Sequence, residues 1–115
     1  MPLDIMKSAN IIETMENYID SIRPQPEIRH QLDIGYELQD QSVIINEIRP
    51  RWDNPNEILT HGYAKATYIK GKNIWKIYWM RADMKWHSYR PNPIAMQLSD
   101  FLKIVEEDEY HCFKG

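Results

Sequence analysis

Pro24 and Pro26 divide the chain into two kinds of pattern, and no other feature limits its fold so sharply. Before them, Ile5, Ile12, Met15, Ile19 and Ile22 recur at helical spacing, with Ala9 and Ile11 beside them. Glu13, Glu16, Asn17 and Asp20 fill the other face, so residues 4–23 read as an amphipathic helix. Proline has no N–H for the helix ladder, and the pair stops it. Beyond them the period falls to two. Ile28, His30, Leu32, Ile34, Tyr36 and Leu38 share one face, and Arg29, Gln31, Asp33, Glu37 and Gln39 share the other. That alternation predicts a strand over residues 28–38.

Turn signals then cut the chain at short intervals. Asp40-Gln41 leads into a strand over 43–49; Pro50, Asp53, Asn54, Pro55 and Asn56 mark 50–57 as a loop. A third strand covers 59–69, Gly71-Lys72 is a hairpin turn, and a fourth covers 74–81. Residues 82–85 turn again into a short fifth strand, 86–90, which Pro91 and Pro93 end. A last helix is expected over 99–109, with Ser99 as N-cap and Phe101, Leu102 and Val105 inward. Connections this short join antiparallel neighbours. The expected fold is α+β: a five-stranded antiparallel β-meander flanked by an N-terminal and a C-terminal helix, in one domain over residues 1–115.

No apolar run approaches the ~18 residues that cross a bilayer. Met1-Pro2-Leu3-Asp4 lacks the basic start and apolar stretch of a signal peptide. The single cysteine, Cys112, forbids an internal disulfide and reads as a structural or surface thiol. These features lead us to expect a cytoplasmic protein with no membrane partner. His30, His61, His87 and His111 show no HxxxH or HxH spacing, and GxGxxG, P-loop and GxSxG motifs are absent. No metal or cofactor is expected, and no catalytic residue is assigned.

The segment Glu47-Ile48-Arg49-Pro50-Arg51-Trp52 is distinctive, as are Ala64-Lys65 and the run from Trp75-Lys76-Ile77-Tyr78-Trp79-Met80-Arg81-Ala82-Asp83-Met84-Lys85-Trp86-His87-Ser88-Tyr89. With Asp108 and the closing Cys112-Phe113-Lys114-Gly115, they resemble a bacterial family known as a domain of unknown function, number three thousand and twenty-four. The resemblance is clearest over residues 33–115, and it departs at Lys114, where an aromatic residue is expected. It implies a domain spanning nearly the whole chain and brings no known activity.

The net charge of −3 conceals an asymmetry: residues 49–90 carry nine Lys/Arg against three acids, so the middle is basic and the ends acidic. If Lys65 faces Tyr78 and Thr67 faces Lys76, alternation puts Ala64, Ala66, Tyr68, Trp75, Ile77 and Trp79 on a core face. The other face then carries His61, Tyr63, Lys65, Lys76, Tyr78 and Met80, with His87 and Tyr89 added through the next turn. Rings mixed with cations suit RNA or single-stranded DNA, because rings stack on bases and cations meet phosphates. The candidate binding residues are Arg49, Trp52, Tyr63, Lys65, Lys76, Tyr78, Arg81, His87 and Tyr89.

The expected function is thus a non-catalytic binding module, with a protein–protein adaptor using the same face as a rival. A metal-independent ribonuclease of toxin type is the enzymatic alternative, with His61 or His87 moving the proton beside Tyr89 and Arg49, Lys65 and Arg81 clamping phosphate. Asp33 with Glu47-Ile48-Arg49 also mimics a metal nuclease layout, but puts the two acids on opposite faces. Glu47 and Arg49, two apart on one strand face, are expected to pair with each other, or with Arg81 or Asp83, as an ion-pair lock that fixes the loop carrying Trp52. Trp75, Trp79 and Trp86 read as core pillars. Arg81 is expected to be at least half buried between Trp79 and Trp86, locked to Glu47, Asp83 or a loop carbonyl.

Overall fold

A computed structural model of the chain describes residues 4–113. Helix α1 (Ile5–Ile22) is followed by strands β1 (Asp33–Gln39), β2 (Ser42–Arg51), β3 (Asn54–Ile69), β4 (Ile74–Met80), β5 (Trp86–Ser88) and β6 (Ile94–Ala95), then helix α2 (Leu98–Glu107). The strands form one antiparallel sheet in the order β1-β2-β3-β4-β5, the expected meander. The two-residue β6 is an addition: it pairs with the Trp75 end of β4, on the edge that β5 occupies further along. Among the described residues, no helix is long and apolar enough to cross a membrane.

Asp4 caps α1, its side chain accepting a 2.7 Å hydrogen bond from the Lys7 backbone N–H. At the other end Arg23 is extended, as a residue before proline must be. The buried stripe is Ile11, Met15 and Ile19; Ile5 and Ile12 are exposed, so the helix turns a narrower face inward than its isoleucines suggest. Residues 26–31 are turns rather than strand, and β1 begins only at Asp33. Two prolines in three residues hold the chain there in a tight course, and the alternation of 28–32 is not used. Arg23 then donates two hydrogen bonds to Asp33, at 2.8 and 2.7 Å, tying the end of α1 to the start of β1.

Both helices lie on one face of the sheet. Ile11 and Met15 of α1, and Phe101, Leu102 and Val105 of α2, pack on Val43, Ile45, Ala64, Ala66, Trp75 and Ile77. The Tyr18 hydroxyl donates a 2.6 Å hydrogen bond to Glu106 across the two helices. Burial, and then that bond, push the Tyr18 phenol well above its ordinary pKa. Helix α2 starts one residue early: Gln97 is its N-cap and makes no side-chain cap bond, and Ser99 lies inside the first turn. It ends on Asp108 in the left-handed region. Asp108 is buried rather than solvated, its side chain accepting from the Phe113 backbone N–H.

The expected registers Lys65–Tyr78 and Thr67–Lys76 are present, and Leu38 pairs with Val43 across the first hairpin. Register shifts in two places. Between Ile45 and Asn46 of β2, partners jump from Ala64 to Gly62, leaving Tyr63 as an extra residue in β3. Such a bulge rotates the strand. Residues 50–57, expected as a loop, are mostly strand: β2 runs to Arg51 and β3 begins at Asn54. A second shift between Pro50 and Arg51 gives Pro55 a place outside regular pairing. Pro50 is tolerated because β1 ends its pairing at Ile48, so β2 is there an edge. The outer parts of β2 and β3 thus form a two-stranded arm with Trp52 at its tip.

Candidate functional site

The helix-free face of the sheet carries Ile44 and Asn46 from β2, Lys65 and Thr67 from β3, Lys76, Tyr78 and Met80 from β4, and Trp86 from β5. No described element covers it. The Lys65 ammonium lies 5.6 Å from the Tyr78 ring centroid and 5.5 Å from that of Trp86, so one cation is held between two rings. A groove of about 420 Å³ runs beside them, with Ile44, Asn46, Thr60, Gly62, Met80 and Trp86 in its lining. Asn46 is a buried polar residue, and its side-chain amide has no hydrogen-bond partner among the described residues. Gly62 shapes the groove: a Cβ there would stand 2.9 Å from Ile44 Cγ2 and 3.1 Å from Trp86 Cζ2. Trp86 therefore lies against backbone where any other residue would hold it off.

The nine expected site residues fall into four groups. Lys65, Lys76 and Tyr78 share the helix-free face, as read from alternation. Tyr63 does not: the bulge turns it into the core, where it is 4% exposed. Its hydroxyl is buried with no hydrogen-bond partner among the described residues, and burial followed by the charges of Glu106, Glu47 and Asp108 raises its pKa well beyond the ordinary range. Tyr89 is also core, 1% exposed and stacked at a tilt on Phe113 with centroids 4.7 Å apart. Its backbone N–H donates to Ile77 O, which carries it to the helix side.

His87 pairs with Trp79, and Trp86 with Met80, so His87 lies on the helix side and Trp86 on the helix-free face. This reverses the expected assignment of both, because the turn after Met80 has Met84 in the left-handed region and sets β5 one residue out of phase. Trp75 is the one core pillar of the three tryptophans, while Trp79 and Trp86 are partly buried. Arg49 and Trp52 belong to the arm. Arg49 donates to Glu47 at 2.7 Å, one of the expected pairings. Trp52, however, is 93% exposed, and among the described residues no hydrogen bond or ring contact holds it. Arg51 holds the arm's tip instead, reaching Asp53 at 2.6 Å and Glu57 at 3.0 Å.

Arg81 is exposed, not half buried. Its guanidinium lies 5.5 Å from the Trp79 ring centroid, as expected, but Trp86 is on the opposite face. Neither expected acid is available, since Glu47 is paired with Arg49. Asp83 accepts from His87 Nε2 at 2.8 Å and from the Lys85 backbone N–H at 3.0 Å. A carboxylate only accepts, so His87 carries its proton on Nε2. That bond, more than any other contact, holds the Asp83 carboxyl below its usual range. The lock on Arg81 is thus absent.

The groups gathered for a ribonuclease do not meet. Tyr89 is in the core, Lys65 is on the helix-free face, His87 and Arg81 are on the other side, His61 pairs with Glu47 in the three-stranded part of the sheet, and Arg49 is on the arm. Asp33, offered for a metal, spends both oxygens on Arg23. Lys114 lies outside the described residues.

The groove residues Asn46, Gly62 and Trp86 were not singled out as binding groups by sequence reasoning. The signal was weak: an asparagine amid apolar residues of a strand, and a glycine facing it one bulge away. A two-helix, antiparallel-sheet domain with one face covered and one bare is the class this architecture defines. The chain belongs to the family described as a domain of unknown function, DUF3024, whose model matches residues 3–115. No curated protein and no solved structure matched the chain.

Proposed function

We propose that this chain is a non-catalytic binding module for single-stranded nucleic acid, RNA or DNA, working through the helix-free face. The observation that carries the reading is the pairing of one cation with two rings beside a groove that contains an unpartnered amide. A base stacking on Tyr78 or Trp86 would gain ~1–3 kcal/mol. Lys65 and Lys76 would meet the phosphates on either side, and the Asn46 amide has both a donor and an acceptor for a base edge. The single free thiol suits a cytoplasmic setting.

Fluorescence anisotropy with 3′-labelled, 5′-hydroxyl RNA and DNA dodecamers at low salt tests the reading. Binding is expected in the micromolar range, weakened by Tyr78→Ala and Lys65→Gln. No binding at ~100 μM would refute it, because even non-specific contacts usually register by then.

A protein adaptor is the second reading, favoured by Trp52. A fully presented tryptophan on an arm with Ile58 and Leu59 also exposed is apolar surface that a partner could cover. Loss of a nuclease-resistant protein partner on Trp52→Ala would favour it.

A further inference from the structure

On the helix side, past the end of α2, the β4–β5 edge and the segment after α2 enclose a second cleft. It measures about 390 Å³ and is lined by Trp79, Arg81, His87, Ser88, Arg90 and Cys112, among others. Its charge is one-sided. Arg81 and Arg90 are exposed, and among the described residues neither guanidinium has a hydrogen bond or an ion pair with a carboxylate. Asp83, the acid closest in sequence, is engaged by His87 and by the Lys85 backbone. The Arg81 fork is kept in place by the Trp79 ring rather than by an anion, which leaves its N–H edge free.

Cys112 argues against covalent chemistry in the cleft. Burial, with the Asp108 charge, raises its thiol pKa, and the Arg81 charge only partly opposes this. The neutral thiol is a poor nucleophile. The lining of the cleft includes two guanidiniums and no carboxylate.

We infer that this cleft is a phosphomonoester site, which binds the terminal phosphate of a nucleic acid strand or the phosphate of a small phosphorylated molecule through Arg81 and Arg90. A phosphomonoester carries close to two negative charges at neutral pH, whereas an internal phosphodiester carries one. Two unneutralised guanidiniums match the former, and planar forks grip phosphate oxygens in pairs. The terminal-phosphate form rests on the nucleic-acid reading above; the small-molecule form does not. Neither form uses the Tyr78–Trp86 face.

The experiment compares dodecamers bearing 5′-phosphate, 3′-phosphate or only hydroxyl ends, with ribose 5-phosphate measured separately by calorimetry. A phosphorylated end is expected to tighten binding about tenfold, the effect of one charge-assisted hydrogen bond. Arg81→Gln with Arg90→Gln should abolish that gain while leaving the hydroxyl-ended affinity within about twofold. Both positions are exposed, so circular dichroism and melting should match the parent. Equal binding of phosphorylated and hydroxyl ends, together with no ribose 5-phosphate binding, overturns the inference and leaves the nucleic-acid reading intact. If no dodecamer binds but ribose 5-phosphate does, and the double variant loses it, the nucleic-acid reading falls and the cleft is a small-phosphate site. A preference for phosphorylated ends that persists in the double variant also overturns the inference.

Discussion

Replacing Gly62 with alanine puts a methyl carbon 2.9 Å from Ile44 Cγ2, 3.1 Å from Trp86 Cζ2 and 3.2 Å from Asn46 Oδ1. Ile44 is buried and β-branched, so its methyl cannot simply rotate away. Overpacking of this kind costs ~1–3 kcal/mol. Against it, alanine removes freedom from the unfolded chain, a gain of ~0.4–1 kcal/mol. The net expectation is a loss of about 1 kcal/mol. With a urea slope of ~1.5 kcal/mol/M, that lowers the unfolding midpoint by ~0.7 M.

Gly35→Ala is the matched comparison on the same face of the sheet. Its Cβ would meet only Ile48 Cδ1, at 3.3 Å, the mobile end of a side chain. There the entropic gain should win, and Gly35→Ala should equal or exceed the parent. Urea unfolding followed by circular dichroism reads both. Because the new methyl also displaces Trp86, Gly62→Ala should weaken RNA binding while Gly35→Ala should not. If the two alanine variants unfold at the same urea concentration, the close approach at Gly62 does not govern this face and the reasoning is refuted.

Tyr63→Phe removes a buried hydroxyl that has no partner among the described residues, so it should leave stability unchanged or raise it by up to ~1 kcal/mol in thermal melts; a clear loss would mean the hydroxyl is bonded after all. The Arg23 guanidinium, above all by hydrogen bonding, holds the Asp33 carboxyl below its ordinary range. Its stabilising effect is therefore full above the unfolded value of ~3.9 and is lost as pH falls through the lower folded value. Asp33→Asn should lower stability at neutral pH and flatten the acid limb of a stability–pH curve, an outcome that a parent-like limb would contradict. Lys65→Gln and Lys76→Gln should each reduce the salt slope of single-strand binding by ~0.7, whereas an unchanged slope would take them out of the phosphate path. Trp52→Ala should melt within ~0.5 kcal/mol of the parent, since the residue is almost wholly exposed.

The meander was legible because its information is local. Alternation, a proline pair and short turns specify neighbours, and the pairings of Leu38 with Val43 and Lys65 with Tyr78 follow from turn length alone. What alternation cannot carry is a change of phase. The one-residue bulge at Tyr63 and the left-handed turn residue Met84 each shift the strand beyond them. Hence Tyr63, Trp86 and His87 were assigned to the wrong sides, and Tyr89 to the surface. The arm was misread because Pro50 and Pro55 are turn residues in most settings; only an unpaired neighbouring edge lets them sit in strand. The cleft of Arg81 and Arg90 was out of reach for a different reason. It depends on which acids are already engaged, and that is settled by Arg49 taking Glu47 and His87 taking Asp83.

The hydroxyl bond from Tyr18 to Glu106 joins residues 88 positions apart, over a sheet whose strands β1 to β5 each pair with the next in line. Order of synthesis then matters. Strands β1 to β4 can pair as they leave the ribosome, and α1 is already present to shield part of their apolar side. Trp75 and Ile77 must wait for Phe101 and Val105 to emerge before that side closes. For those seconds the nascent sheet is greasy on one side and aromatic on the other, at risk of sticking to another unfinished copy. The last helix is the cover that ends this exposure, so a chain stalled or cut before residue 98 should be seized by chaperones although nearly all its strands are complete.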